Sequence, residues 1–535
     1  MTDAILVVGS GPSGVHAAAT LLARGLRVRM LDVGRPRPDV VRPELSLDGL
    51  KRELPDPSRY FLGDDWEALV LNDAEGEYYG FPPSKQYVFA NPADMDLRTD
   101  GFAPLFSHAA GGLAEAWTGG TYPFDDRDLE SWPFGWRELA PYYGRVAQRI
   151  GISGSDRDDM ARHFPVHEGL QPPLEPDVHS ARLLERYTRA RGRWLAQGAR
   201  LGRARVATLS QPLGHRNACH RSGRCQWGCP TDAFYTPSVT LRECLDEDGF
   251  TYVPGHEVTH LAVDTAGRAR AAIARRADGH EERFEADRIV LAAGTLATAR
   301  IVLESVARSG AEPPELDGLM DNRQVMMPFV NLALLGRPFE PKSYQYHQLA
   351  LGLDRGGARD YVHGLVTTLT TALVHPIVQS LPFSMRTSLG VFRNLHTALG
   401  LLNVNFADDR RPTNRVGLEP GADGRTRLAI CYVPAEDEPE RVGSGLRTLR
   451  RLLLGLGCIA PPMMTRERPM GASVHYAGTF PMVADGGDWT TDATGRLRGI
   501  DGVWLADGST FPTLPSKNLT FTLMANATRI AEEAF

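Results

Sequence analysis

The sequence predicts an α/β protein of two or three interleaved compact units, and three observations carry that prediction. Ile5-Leu6-Val7-Val8 is a short, wholly apolar run, as a parallel strand buried on both faces requires. It passes at once into Gly9-Ser10-Gly11-Pro12-Ser13-Gly14 and a helical stretch from Val15 to Arg24. Gly25 stops that helix, and a second strand, Val28 to Leu31, ends on Asp32. The 535 residues, 42% hydrophobic and 23% charged, are too many for one small domain and too apolar for global disorder.

The remaining elements follow the same signals. Residues 35–60, rich in Pro, Asp and Arg, read as a loop excursion. Residues 125–150 read as helical, from Asp125 to Leu129 and from Trp136 to Ile150, with Gly151 as the stop. Residues 154–180 are polar and Pro-rich, a linker or lid. Strand signals return at 251–253, 258–263, 271–274, 278–282 and 288–291, and Ala292-Ala293-Gly294 then leads into a helix from Leu296 to Ser305. Residues 320–465 mix strand-like and apolar segments. Tyr361 to Met385 contains no Asp, Glu, Lys or Arg, which raises the question of a membrane span. Gly364, two His, two Pro and six Ser/Thr interrupt it. A core or substrate-cavity wall is expected there, with membrane contact the less favoured reading.

Composition excludes several functions. The formal net charge of −6 carries no basic footprint for nucleic acid. Only four of the 59 cationic residues are lysine (51, 85, 342 and 517), which reads as the codon usage of a GC-rich, bacterial genome. Six cysteines make no disulfide framework, and no basic n-region or cleavage site precedes the first strand, so a cytoplasmic protein is expected. Cys219, Cys225 and Cys229, with His215 and His220 nearby, fit no common zinc spacing; buried thiols and no metal are expected.

Gly9-x-Gly11-x-x-Gly14 between a strand and a helix, with Asp32 eighteen residues beyond, is a dinucleotide-binding arrangement. The glycines allow a tight turn and close approach of a pyrophosphate. The helix N-terminus offers unpaired N–H groups and a positive dipole end. The Asp32 carboxylate accepts from ribose hydroxyls, which argues against a 2′-phosphorylated cofactor.

Five blocks in order identify the family that the chain resembles. They are the opening βαβ unit; Gly111-Gly112 with Trp117-Thr118 and then Asp128-Leu129…Trp132-Pro133; Gly223-Arg224-Cys225…Gly228-Cys229-Pro230; Ala292-Ala293-Gly294; and a C-terminal block. The last runs from His475-Tyr476-Ala477-Gly478-Thr479 through Asp507-Gly508 to Asn518-Leu519-Thr520. The set resembles the glucose–methanol–choline (GMC) FAD-dependent oxidoreductases, nearer the pyranose-oxidase-like, sugar-oxidising branch because of Trp117-Thr118.

The resemblance implies an α/β (α+β) fold. A Rossmann-like FAD domain would be assembled from 1–34, 101–124, 201–310 and 468–535. A substrate domain with a large, mostly antiparallel sheet would comprise 35–100, 125–200 and 311–467. It implies His475 as catalytic base and Asn518 as its partner, which could also cap the helix that follows. FAD contacts would come from Gly9, Gly11, Pro12, Ser13, Gly14, Asp32, Gly111, Gly112, Trp117, Thr118, Val258, Ala293, Gly294, Asp507, Gly508, Asn518, Leu519 and Thr520. Relatives with covalent FAD carry His where Ala116 stands, so non-covalent FAD is expected; His108 precedes the turn and is a poor substitute.

The function implied is oxidation of one alcohol group on a sugar, glycoside, aminosugar or polyol. Hydride passes to the flavin, the hydroxyl proton to His475, and O2 or an external acceptor reoxidises the enzyme. The alternatives are the same chemistry on a hydrophobic alcohol (sterol, terpenoid or long-chain) and a non-redox lyase.

Overall fold

The computed structural model describes residues 4–69, 80–90, 95–371, 373–421 and 426–535. Residues 70–79 and 91–94 of the 35–100 segment expected in the substrate domain, and Ala372 of the uncharged segment, lie outside those described.

A five-stranded parallel sheet has the order Val503–Leu505, Ile289–Leu291, Ala4–Val8, Arg27–Leu31, Phe250–Val253. Its first strand is apolar throughout because both faces are covered. Ile5 and Val7 pack with Val28 and Met30 under helices Pro12–Ala23 and Thr520–Glu533. Leu6 and Val8 pack with Leu31, Ile289 and Leu291 on the opposite side. That side carries helix Thr295–Arg308 and an antiparallel sheet of Glu257–Val263, Ala269–Arg275 and Glu281–Glu285. The third of these strands starts later than the expected 278–282, because Asp278 and Gly279 (φ 84°) make the hairpin turn.

The second large sheet has seven strands and every pairing is antiparallel. Its path is Cys458–Ile459, Arg323–Asn331, Leu399–Phe406, Val362–Thr368, Leu349–Leu353, Ala199–Arg203, and Arg466–Glu467 also joins Arg323–Asn331. Val325, Met327, Val362, Val366, Leu402 and Val404 turn to one face and bury against helices Val178–Leu195 and Glu438–Gly455. The uncharged segment thus begins as an inner strand of this sheet. Its residues Leu369, Thr371, Leu373, Pro376 and Ile377 line a cavity, and the segment reaches the surface in helices His375–Gln379 and Met385–Leu395. Among the described residues no helix is long and apolar enough to cross a membrane.

Helix Trp136–Ile150 forms as expected, with Gly151 at φ 68° behind it. It packs against Thr520–Glu533, where Tyr143 Oη meets Thr522 Oγ1 at 2.6 Å. Asp125 to Leu129 closes only one turn, through Leu129 N–H to the Asp125 carbonyl (3.1 Å). The two aspartates compete with a helix by bonding nearby backbone: Asp125 accepts from Arg127 N–H (3.0 Å) and Asp128 from Asp125 N–H (2.9 Å).

Candidate active site

A cavity of about 1160 Å³ opens at the carboxyl ends of the parallel strands and extends to the seven-stranded sheet. All the sequence-predicted site residues line it except Gly14 and Gly111. Those two shape the loops behind it. A Cβ on Gly14 would stand 1.9 Å from the Gly9 carbonyl oxygen, so the first helix can lie this close to its strand only with glycine there. Gly111 holds φ 98° and donates its N–H to Ser10 Oγ (2.8 Å); Ser10 in turn donates to Asp32. A Cβ on Gly112 would come within 3.2 Å of Gly11 Cα, so the two glycine turns are stacked.

The cavity suits a dinucleotide. Gly11, Gly294 and Leu519 are the N-caps of helices Pro12–Ala23, Thr295–Arg308 and Thr520–Glu533, and none has a side-chain cap. Three helix N-termini therefore present N–H groups on one cavity, a setting for pyrophosphate and for a flavin edge that gains charge. A Cβ on Gly11 meets nothing within 4 Å, which is the clearance that close ligand approach needs. Burial raises the Asp32 carboxyl to about 6, against the bonds from Ser10 and Tyr252 Oη (3.1 Å) that lower it. Asp507 accepts from Gly294 N–H (2.9 Å), Thr298 Oγ1 (2.5 Å) and Ser509 N–H (3.0 Å), so its carboxylate ties the Gly294 turn to the C-terminal block.

At the other end of the cavity, the Asn518 side-chain amide lies 3.3 Å from His475 Nε2. The amide donates, so Nε2 carries the lone pair and the ring proton sits on Nδ1, which has no partner among the described residues. Burial, and secondarily the charge of Arg468, lowers the His475 pKa to about 4. Asn518 does not cap the final helix as anticipated. The cap is Leu519, and the Asn518 side chain is turned to His475.

Each member of the pair has a buried support. The strand pair Met320–Asp321 and Tyr476–Ala477 brings Asp321 beside the His475 loop. Asp321 accepts from Ser473 Oγ and from Gly471 N–H (2.6 Å), and Ser473 Oγ accepts the His475 N–H at 2.8 Å. Between them Val474 holds φ 61°, a left-handed conformation that a β-branched residue enters only when its surroundings enforce it. Burial pushes Asp321 to about 7; the Ser473 and Gly471 bonds oppose that rise and nearby Asp408 adds to it. Behind Asn518, the fully buried Lys517 ammonium lies 2.6 Å from Asp128 and 3.0 Å from Asp125. Thr513 Oγ1 donates to the Asp128 carbonyl (2.9 Å) and accepts from Trp132 Nε1 (2.9 Å). The Asp128…Trp132 block thus clamps the approach to Asn518.

Several lining residues were not anticipated. His347 joins Thr118 Oγ1 (2.8 Å) to Thr367 Oγ1 (2.9 Å), and burial lowers its pKa to about 3. Gln324, Asn403 and Arg468 complete the polar wall near His475. Nothing local marks His347, whereas Lys517 stands out as one of four lysines, next to Asn518. All six cysteines are free, and the described residues form no cluster of three or more His, Cys, Asp or Glu able to hold a metal.

Comparison with known proteins agrees with this architecture. A family model described as GMC oxidoreductase matches residues 461–527. An uncharacterized GMC-type oxidoreductase, y4nJ, of Sinorhizobium fredii is 39% identical over 99% of this chain and 94% of its own length. The 6'''-hydroxyparomomycin C oxidase of Streptomyces lividus is 27% identical over 98% and 90%. Crystalline pyridoxine 4-oxidase from Mesorbium loti shares the fold, with TM-score 0.59, 17% identity and coverage of 99% and 98%. On its full-length relative and its C-terminal block, the chain belongs to the GMC oxidoreductase family of FAD-dependent enzymes that oxidise alcohol groups.

Proposed function

We propose that the enzyme oxidises one hydroxyl of a sugar, glycoside, aminosugar or related polyol to an aldehyde or ketone. His475 is the base and Asn518 its partner; the 3.3 Å contact between them at the end of a dinucleotide-sized cavity carries the reading. The substrate hydroxyl displaces the Asn518 amide from the Nε2 lone pair, and neutral His475 takes the hydroxyl proton there. The Asn518 amide, released from Nε2, then holds the substrate oxygen as negative charge develops on it. FAD, when bound, supplies the hydride acceptor. The residues that would hold it are the predicted ones: Asp32 at the ribose, the Gly9–Gly14 loop at the pyrophosphate, Asp507-Gly508 at the pyrophosphate–ribityl region, and Gly111-Gly112 and Asn518–Thr520 around the flavin. With Ala116 at the attachment position the flavin is non-covalent, and acid precipitation should release it. The sugar class draws support from the aminoglycoside oxidase relative.

The same reading divides the chain into an FAD part (1–34, 101–124, 201–310, 468–535) and a substrate part (35–100, 125–200, 311–467), whose helix Trp136–Ile150 packs on Thr520–Glu533 of the FAD part. Six unpaired cysteines suit a bacterial cytoplasm. The test is anaerobic bleaching of the visible flavin band by sugars, glycosides, aminosugars, polyols, sterols and long-chain alcohols. Bleaching by a carbohydrate is expected, and readmitted air then separates O2 from an external acceptor. Bleaching by apolar alcohols alone overturns the sugar reading and favours a hydrophobic alcohol.

A further inference from the structure

The cavity face of the seven-stranded sheet is graded in polarity, and the strand register makes the gradient explicit. Gln324 stands opposite Asn405, and Asn405 opposite His363. Two residues along, Met326, Asn403 and Leu365 are in register; two further on, Pro328, Leu401 and Thr367. The first row lies at the chemical end, where Gln324 lines the cavity and Asn405 and His363 are buried behind it. Arg468, whose charge reaches His475, bonds Gln324 through its side chain (2.6 Å) and its backbone (3.0 Å), and Asp321 of the same chain segment holds the His475 loop. Past the third row the chain runs on as Leu369, Leu373, Pro376 and Ile377, all of which line the cavity. The wall is hydrogen-bonding where the alcohol reacts and mainly hydrocarbon farther out, where Thr367 and Thr371 are interspersed among the apolar side chains. Asn403 marks the boundary: its Oδ1 is buried without a partner among the described residues, an acceptor that calls for a donor.

Resting on the sugar-alcohol reading, we infer that the outer part of the cavity is an apolar aglycone subsite and that the substrate is an amphiphilic glycoside. Its hydroxylated ring lies at His475 and Asn518, with a hydroxyl or ammonium donating to Asn403 Oδ1. Its alkyl or aryl substituent packs on Leu369, Leu373, Pro376, Ile377 and Leu401. A fully polar oligosaccharide in that position would press hydroxyl and ammonium groups against hydrocarbon, where they lose water and gain no partner. An apolar substituent gains from the same surface in proportion to the area it covers.

The test uses the flavin-loaded enzyme and matched methyl, phenyl and n-octyl β-glycosides of glucose, galactose and glucosamine, the octyl compounds below their micelle concentrations. Within each reactive sugar, KM for the phenyl or octyl glycoside is expected to be at least tenfold lower than for the methyl glycoside. The double substitution Leu373→Asn, Ile377→Asn should bring the values together. Equal KM values in the wild type, or a preference that survives in the variant, overturn the subsite. A second readout needs no turnover: perturbation of the oxidised flavin band by n-octyl glucoside, absent with methyl glucoside and lost in the variant. Should no glycoside be oxidised, the sugar reading falls by itself. The band perturbation then still decides the subsite, its presence supporting it and its absence overturning it.

Discussion

The Asn518 amide reaches His475 Nε2 at 3.3 Å, and the two residues are delivered by separate buried supports, Lys517 with two aspartates on one side and Asp321 with Ser473 on the other. The base is thus oriented before any substrate arrives. His475→Ala should lower kcat by ~10²–10⁴-fold with flavin content unchanged. The base works as neutral imidazole, and burial lowers its pKa to about 4. Activity should therefore hold from neutral pH down to about 5 and fall through an acid limb near 4, well below the ~6.5 of an ordinary histidine. A kcat–pH profile with its limb near 6.5 would contradict this environment.

Two neighbouring glycines should fail differently. Gly11 has open space where a Cβ would go, so Gly11→Ala should fold with the thermal stability of the wild-type apoprotein and lose bound flavin. The added Cβ of Gly14→Ala would collide with the Gly9 carbonyl, so that variant should be destabilised even without flavin. Flavin-to-protein absorbance ratios and apoprotein melting curves separate the two.

Lys517→Met should leave buried Asp128 without its ammonium partner and Asp125 with only Arg127, at 3.5 Å. Removing one partner of a buried ion cluster costs about 3–5 kcal/mol. Adding Asp125→Asn and Asp128→Asn should recover part of that loss in a denaturant titration. Lys517→Met alone should also reduce kcat, because Asn518 is the next residue.

His347 makes acid stability measurable at one site. Burial lowers its folded pKa to about 3, while the unfolded chain binds that proton near 6.5. Its contribution is complete above 6.5 and is lost as pH falls towards 3. The wild type should lose about 1 kcal/mol more than His347→Gln between pH 6 and 5. Urea unfolding midpoints at those two values check it.

The opening βαβ unit was legible because its signals are local: an apolar run, three spaced glycines and an acidic strand end within 32 residues. The seven-stranded sheet was legible only through resemblance, since neighbours such as Leu349–Leu353 and Ala199–Arg203 lie far apart in the chain. His475 and Asn518 stood out by their motif surroundings. His347 did not, because the contact that gives it meaning is Thr118, 229 residues away. The helix-cap reading of Asn518 failed for the reason that makes the residue interesting: a tertiary partner outbid the local one.

The parallel sheet also sets a timetable for synthesis. Ala4–Val8 emerges first, yet its neighbour Ile289–Leu291 and the edge strand Val503–Leu505 appear hundreds of residues later. At ~5–20 residues per second the earliest strand waits on the order of 25–100 s for the sheet to close. Until the ribosome has delivered helix Thr520–Glu533, the cover over Ile5 and Val7 is incomplete. A chain cut short before that helix would lack a finished cofactor cradle and keep a sticky strand exposed, so flavin uptake reports that synthesis has passed this helix.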